Sequence, residues 1–322
     1  MKMEERLIAL LRLALAYNAT DIHFTMSFEE IRIEMRIDGK FVKVKNKFED
    51  QKLIRYLQYL ANLDVGNLTK PQTGQFEMHL GENILSLRFA VMNTYNSTNG
   101  VLRILNSSIK VSADNLSAIK AQNLYFRSLL DKQCGLVLFS GPTGSGKTTT
   151  LYSLLKVAGD KKIYSIEDPI EVYNEGIIQL QVNEQMGFDY ETGVEQILRH
   201  DPDIIMIGEI RDPKAARIAV VAANTGHLVF STIHAPRATS CISRMVDLGV
   251  NEAHLYENLI CVANQRLMVD IKNRKKLVLY EIMDLKEIEY YRQYGSTSPD
   301  FNTIELQKAK GIYEGIFEKD VL

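Results

Sequence analysis

The sequence predicts an α/β fold in which a domain built on a parallel sheet follows a smaller α+β domain. From about residue 119 onward, short apolar runs at 136–139, 162–166, 204–207 and 228–232 alternate with helical patterns, and such alternation places helices on both faces of a parallel sheet. Before about residue 105 the apolar residues recur mostly with period two, interrupted by two helical stretches, as in an α+β unit. At 322 residues, 46% hydrophobic and 24% charged, the chain is long enough for two cores and has the composition of a soluble globular protein.

The first helix is expected over 7–17, where Leu7, Leu10, Leu11, Ala14 and Leu15 share one face. This stretch resembles a signal peptide in hydropathy, but Glu4 and Glu5 cancel the positive flank and Arg12 interrupts the apolar run. An amphipathic docking helix is the better reading. Strands follow at 21–24 and 31–37. The pair Asp38-Gly39 then leads into Phe41-Val42-Lys43-Val44, which reads as a hairpin. Residues 50–63 carry Leu53, Ile54, Leu57, Leu60 and Ala61 at helical spacing, and strand-like runs come around 75–80, 83–92 and 99–105. The small domain therefore spans 1–105. Residues 106–118 are polar and small and read as a linker or hinge, with the larger domain over 119–322.

That domain opens with the apolar run Leu136–Phe139, then Gly141-Pro142-Thr143-Gly144-Ser145-Gly146-Lys147-Thr148, then the helical Thr149-Thr150-Leu151-Tyr152. Strand, glycine-rich turn and helix in that order form a phosphate-binding loop. The glycines let successive N–H groups and the helix N-terminus converge on one anion. Lys147 reaches the β- and γ-phosphates, and the Thr148 hydroxyl suits Mg²⁺. ATP and Mg²⁺ are accordingly the expected cofactors.

Such a loop needs a carboxylate for the metal and a group that activates water. The run Ile204–Ile207 ends in Gly208-Glu209, a glycine standing where most such enzymes carry aspartate. Glu209 is placed to hold Mg²⁺ through water, to polarise the nucleophile, or both. A second acidic pair, Glu167-Asp168, follows the run 163–166 and precedes Pro169. Glu167 is the other candidate base, with a simple turn acid as the alternative. Of six histidines, His227 and His234 flank the run 228–232. His234, at its C-terminal end, is the better γ-phosphate sensor, and His227 reads as structural.

The composition excludes several classes. A net charge of −2 gives no bulk attraction to nucleic acid. Cys134, Cys241 and Cys261 are far apart and odd in number, so they form neither a disulfide framework nor a zinc pattern. No apolar run approaches the ~18 residues of a membrane span. A soluble protein with its ATP site in the cytosol is expected.

Four ordered segments resemble the traffic ATPases of type II secretion and type IV pili. Gly141–Thr148 matches their Walker A motif, 165–171 their aspartate box, 198–212 their Walker B segment, and 225–234 their histidine box. Ala19-Thr20-Asp21-Ile22-His23 and Arg36-Ile37-Asp38-Gly39 are similar to the PAS-like domain that precedes the RecA-like ATPase domain in that family. The segments 178–183 and 264–267 look more like assembly or secretion ATPases than retraction motors. Residues 267–280 contain no cysteine, so the zinc insert usual in that group, and zinc itself, are not expected. Lacking that insert and a long extra N-terminal domain, the chain resembles most the competence pseudopilus assembly ATPases of Gram-positive bacteria, used in DNA uptake. It departs from the family at Thr73 and Gln75, where Asp and Arg are usual.

The resemblance implies that Arg88 and Arg103 act on the nucleotide phosphates as charge stabilisers, that the linker is a hinge set by ATP, and that the chain forms a homohexamer. It implies peripheral association with the inner face of the cell membrane through a platform protein, without direct binding of nucleic acid. Two other classes remain open for a ring of this kind. A nucleic-acid translocase would show ATP hydrolysis stimulated by DNA, and a nucleotide-gated scaffold with weak hydrolysis would keep its biological function after Glu209→Gln.

Overall fold

Leucine spacing explains the first element of the computed structural model. Leu7, Leu10, Leu11 and Ala14 fall on one stripe, and helix α1 (Met3–Ala16) buries that stripe. Leu15, expected on the same face, is exposed at its edge. The structure describes residues 3–27, 30–37, 39–44, 52–66, 70–81, 83–105, 111–183, 186–271 and 276–317. The chain divides into two units, Met1–Ser108 and Ile109–Leu322.

In the first unit, α1 is followed by β1 (Asp21–Met26), β2 (Ile31–Ile37), β3 (Lys40–Lys43), α2 (Lys52–Leu60), β4 (Gln72–Leu80), β5 (Asn83–Asn93) and β6 (Thr98–Leu105). The strands form one six-stranded sheet in the order β3-β2-β1-β6-β5-β4, and all its pairings are antiparallel. Period-two patterning sends Ile22, Phe24, Leu87, Phe89 and Leu102 to one core with the apolar faces of α1 and α2. Each such side chain contributes about 1.5–3 kcal/mol on burial. The expected hairpin is present as β2 and β3, although Asp38 of its turn lies outside the described residues.

In the second unit, Ser112 caps a short 3-10 turn at Ala113–Asn115. Of the segment expected to be a linker, residues 106–110 lie outside the described residues, while Ala113 and Leu116 are buried in this unit's core. Then come α3 (Lys120–Leu129), β7 (Gly135–Ser140), α4 (Lys147–Leu155), β8 (Ile163–Glu167), β9 (Ile177–Gln181), α5 (Tyr190–Leu198), β10 (Ile204–Ile210), α6 (Pro213–Asn224) and β11 (Leu228–Ile233). The remaining elements are α7 (Ala238–Asp247), α8 (Glu252–Asn258), β12 (Leu259–Val269), β13 (Lys276–Met283), α9 (Leu285–Tyr294) and α10 (Ile304–Tyr313).

The seven-stranded sheet has the order β13-β12-β7-β11-β10-β8-β9. Only β13 pairs antiparallel. Strands β7, β11 and β8 are buried at every position because both faces of the sheet are covered. Leu136, Leu138, Ile205, Ile207 and Val229 meet α5 to α8 on one side. Val137, Phe139, Ile204, Met206 and Phe230 meet α3 and α4 on the other. The C-terminal ends of β7, β11, β10 and β8 therefore share one edge, where ligands of open α/β sheets bind.

Candidate active site

Three glycines shape the turn after β7. Gly141, Gly144 and Gly146 have φ of +141°, +79° and +88°, a region that side chains disfavour. A Cβ on Gly141 would lie 2.4 Å from the Gln265 carbonyl oxygen, and one on Gly146 would lie 3.0 Å from Gln265 Nε2, whereas Gly144 faces open space. The loop is pressed against β12 on one side and open on the other. Gln265 Nε2 donates to the Ser145 carbonyl at 2.5 Å. Its Oε1 accepts from Thr150 Oγ1 at 3.1 Å, and Thr150 Oγ1 also hydrogen-bonds Tyr280 Oη at 2.9 Å.

Lys147 opens α4 and is buried. Its Nζ donates to the carbonyls of Gly141 at 3.0 Å and Pro142 at 3.2 Å. Burial lowers its pKa below the ordinary lysine value, while the Glu209 charge pulls the other way. Pro142 and Thr143 are exposed on the open side, and Thr148 and Thr149 are half-buried in the first turn of α4. The Ser145 hydroxyl is buried with no hydrogen-bond partner. A cradle that a Cβ would fill, an ammonium inside it and an unpaired buried hydroxyl fit a polyphosphate with its cation.

Two further strands, β10 and β8, supply acids at the same edge. Strand β10 runs on from Ile207 to Ile210 with a register shift between them, so Glu209 lies within the strand, at that irregularity, rather than beyond its end. Glu209 Oε2 pairs with Arg211 Nη2 at 2.7 Å, and Oε1 pairs with His234 Nε2 at 2.8 Å across from β11. The hydrogen bond to Glu209 raises the Arg211 pKa further. Glu167, ending β8, is buried and accepts from Tyr152, Ser165 and Gln179. A Cβ on Gly208 would meet Glu167 Cγ at 3.1 Å. The glycine at that position thus gives Glu167 the room that an aspartate would take.

The structure brings the phosphate loop, Lys147, Glu209 and His234 to one edge and sets Glu167 on the next strand. His227 lies at the opposite end of β11, where its carbonyl accepts from Gly135 and its ring nitrogen Nδ1 bonds Thr225 Oγ1 at 3.2 Å. Arg88 and Arg103 lie in the first unit, directly opposed on β5 and β6. Arg103 Nε donates to Asp21 Oδ1 at 2.7 Å. Sequence reasoning did not single out Arg211, Tyr152 or Thr150 for any role, nor give Gln179 and Gln265 a place at the site. Arg211 alone had a legible signal, two residues after the proposed acid.

A phosphate loop at the carboxyl edge of a parallel sheet, with a buried lysine opening its helix and an acid two strands away on the same edge, defines a P-loop nucleotide hydrolase. Residues 2–320 match the family described as type II/IV secretion system protein, and the chain belongs to that family of ATPases. Competence protein ComGA of Bacillus subtilis is 39% identical over 255 residues, covering 78% of this chain and 72% of that protein. The protein transport protein HofB homolog of Haemophilus influenzae is 40% identical over 261 residues, or 79% of this chain. The chain spans only 56% of that longer relative. Among solved structures, the pilus retraction motor PilT with bound ADP superposes with a TM-score of 0.70 at 25% identity, covering 96% of this chain and 90% of that one. The RecA-like ATPase fold expected for the larger unit is the fold of these relatives. Among the described residues no helix is long and apolar enough to cross a membrane.

Proposed function

We propose that this chain is the ATP-hydrolysing motor that powers assembly of a competence-type pseudopilus or a related type II secretion or type IV pilus system. The observation that carries the reading is the row of Lys147, Glu209 and His234 along one sheet edge, in a chain 39% identical to a competence protein. Water attacks the γ-phosphorus in line, the bond to the β–γ bridging oxygen breaks, and ADP leaves. Glu209 orients the water with help from Glu167, which also takes up the water's proton. Lys147 exchanges its loop carbonyls for phosphate oxygens, which are stronger partners for an ammonium. His234 senses the γ-phosphate through its contact with Glu209. Thr148, and Glu209 through water, would hold Mg²⁺, which would supply charge neutralisation on the phosphates.

Arg88 and Arg103 add positive charge as the phosphoryl group departs. The working form is a homohexamer on the inner face of the cell membrane, where domain rotation pushes on a platform protein. Purified full-length chain should release phosphate from ATP in the presence of Mg²⁺ and stop when the metal is chelated. Absence of turnover, even in concentrated hexamer supplied with the platform partner, sinks the proposal.

A further inference from the structure

Glu167 is gripped by neutral donors from three elements, and nucleotide binding requires none of them. Tyr152 Oη, from the helix that Lys147 opens, donates to Glu167 Oε2 at 2.5 Å. Ser165 Oγ donates to Oε1 at 2.7 Å, and Gln179 Nε2 from β9 donates to the same oxygen at 3.1 Å. Gln179 is itself fixed. Its Nε2 also lies 3.0 Å from both Tyr152 Oη and the Val172 carbonyl, so three acceptors share its two N–H groups, and its Oε1 accepts from the Asn174 backbone N–H at 2.8 Å. Gly208 closes the remaining side.

Packing alone does not ask for the Tyr152 hydroxyl, since phenylalanine has the same ring. Hydrogen bonds to the charged form of a carboxyl stabilise that form, and a short bond to a carboxylate is the stronger kind. Burial, then the charge of Glu167, raises the Tyr152 pKa, so the phenol keeps its proton and donates it. The other titratable groups around the pair are Asp168, Glu171, Tyr190 of α5, Glu209 and Arg211.

We infer that Tyr152 and Gln179 are positioning residues that hold the Glu167 carboxylate aimed, tying its orientation to the helix that carries the phosphate loop. This rests on the reading that Glu167 assists the attacking water. The test is steady-state ATP hydrolysis by the purified full chain and its Tyr152→Phe, Gln179→Ala and Glu167→Gln variants across pH. Tyr152→Phe should lower kcat roughly tenfold, leave KM within about twofold, and move the acid limb of kcat upward. The sign follows because losing a donor makes the carboxylate easier to protonate.

Gln179→Ala should act in the same direction and less strongly, and it carries the test if Tyr152→Phe melts below the assay temperature. Unchanged kcat and acid limb in the folded variants overturn the inference. So does a raised KM at unchanged kcat, which would make Tyr152 part of nucleotide binding. Wild-type kcat in Glu167→Gln removes the underlying reading, and the inference with it. Inactive Glu167→Gln beside fully active Tyr152→Phe and Gln179→Ala removes the inference alone.

Discussion

Gly141 and Gly144 share a motif but not a physical reason for being glycine. At Gly144 only the backbone conformation is demanding, with φ of +79° and open space where a Cβ would go. At Gly141 a Cβ would also stand 2.4 Å from the Gln265 carbonyl oxygen of β12, which is backbone and cannot swing away. Gly141→Ala should therefore cost more than the roughly 1–3 kcal/mol of a strained φ, and should abolish nucleotide binding, whereas Gly144→Ala should weaken it and leave a folded protein. Fluorescent-nucleotide titration with thermal melting of both variants checks the order, and equal losses would remove the bracing role given to β12. These residues also show what the sequence carried. The loop, Lys147, Glu209 and His234 were legible because their spacing encodes strand, turn and helix. Tyr152 was not, because it lies on helix α4 while its partner Glu167 ends strand β8, and no local pattern joins them.

At the scale of elements, β12 is one of three strands of the second unit, with β9 and β13, that the apolar pattern does not reveal. Its middle carries Asn264 and Gln265, both fully buried amides, so it has neither an unbroken apolar run nor alternation. Those amides are used on the loop side: Asn264 Nδ2 donates to Ser140 Oγ at 2.8 Å, and Gln265 grips Ser145 and Thr150. The strands of the first unit were far more legible, since one covered sheet face leaves period two in the sequence. There, register lines up Gln75, Arg88, Arg103, Asp21 and Arg36 across five strands. Burial pushes the Asp21 carboxyl up, but hydrogen bonds from Arg103 and Thr20 and the Arg103 charge outweigh it and hold the pKa below 3.8. A depressed folded pKa means stability that is present above the unfolded value and lost as pH falls toward the folded one. The melting temperature of Asp21→Asn should lie below wild type near neutral pH, and the gap should close as the pH falls below the ordinary aspartate value of 3.8. A gap independent of pH would show that the Arg103 pair contributes nothing to folding.

For the whole molecule, two units with separate cores carry different parts of one proposed machine. The larger presents the phosphate loop and its acids, and the smaller presents the paired strands of Arg88 and Arg103. Sequence alone reached the two-part organisation because periodicity changes from two to alternating strand and helix. It did not reach the packing of Ala113 and Leu116, which are small or apolar residues inside a segment polar enough to read as a linker. On the proposed function, hydrolysis at this site drives assembly of a pseudopilus filament. Filament formation in cells whose own copy carries Glu209→Gln tests it most directly. Such cells should hold the variant at normal levels and form no filaments, and filaments at wild-type abundance would overturn the motor role.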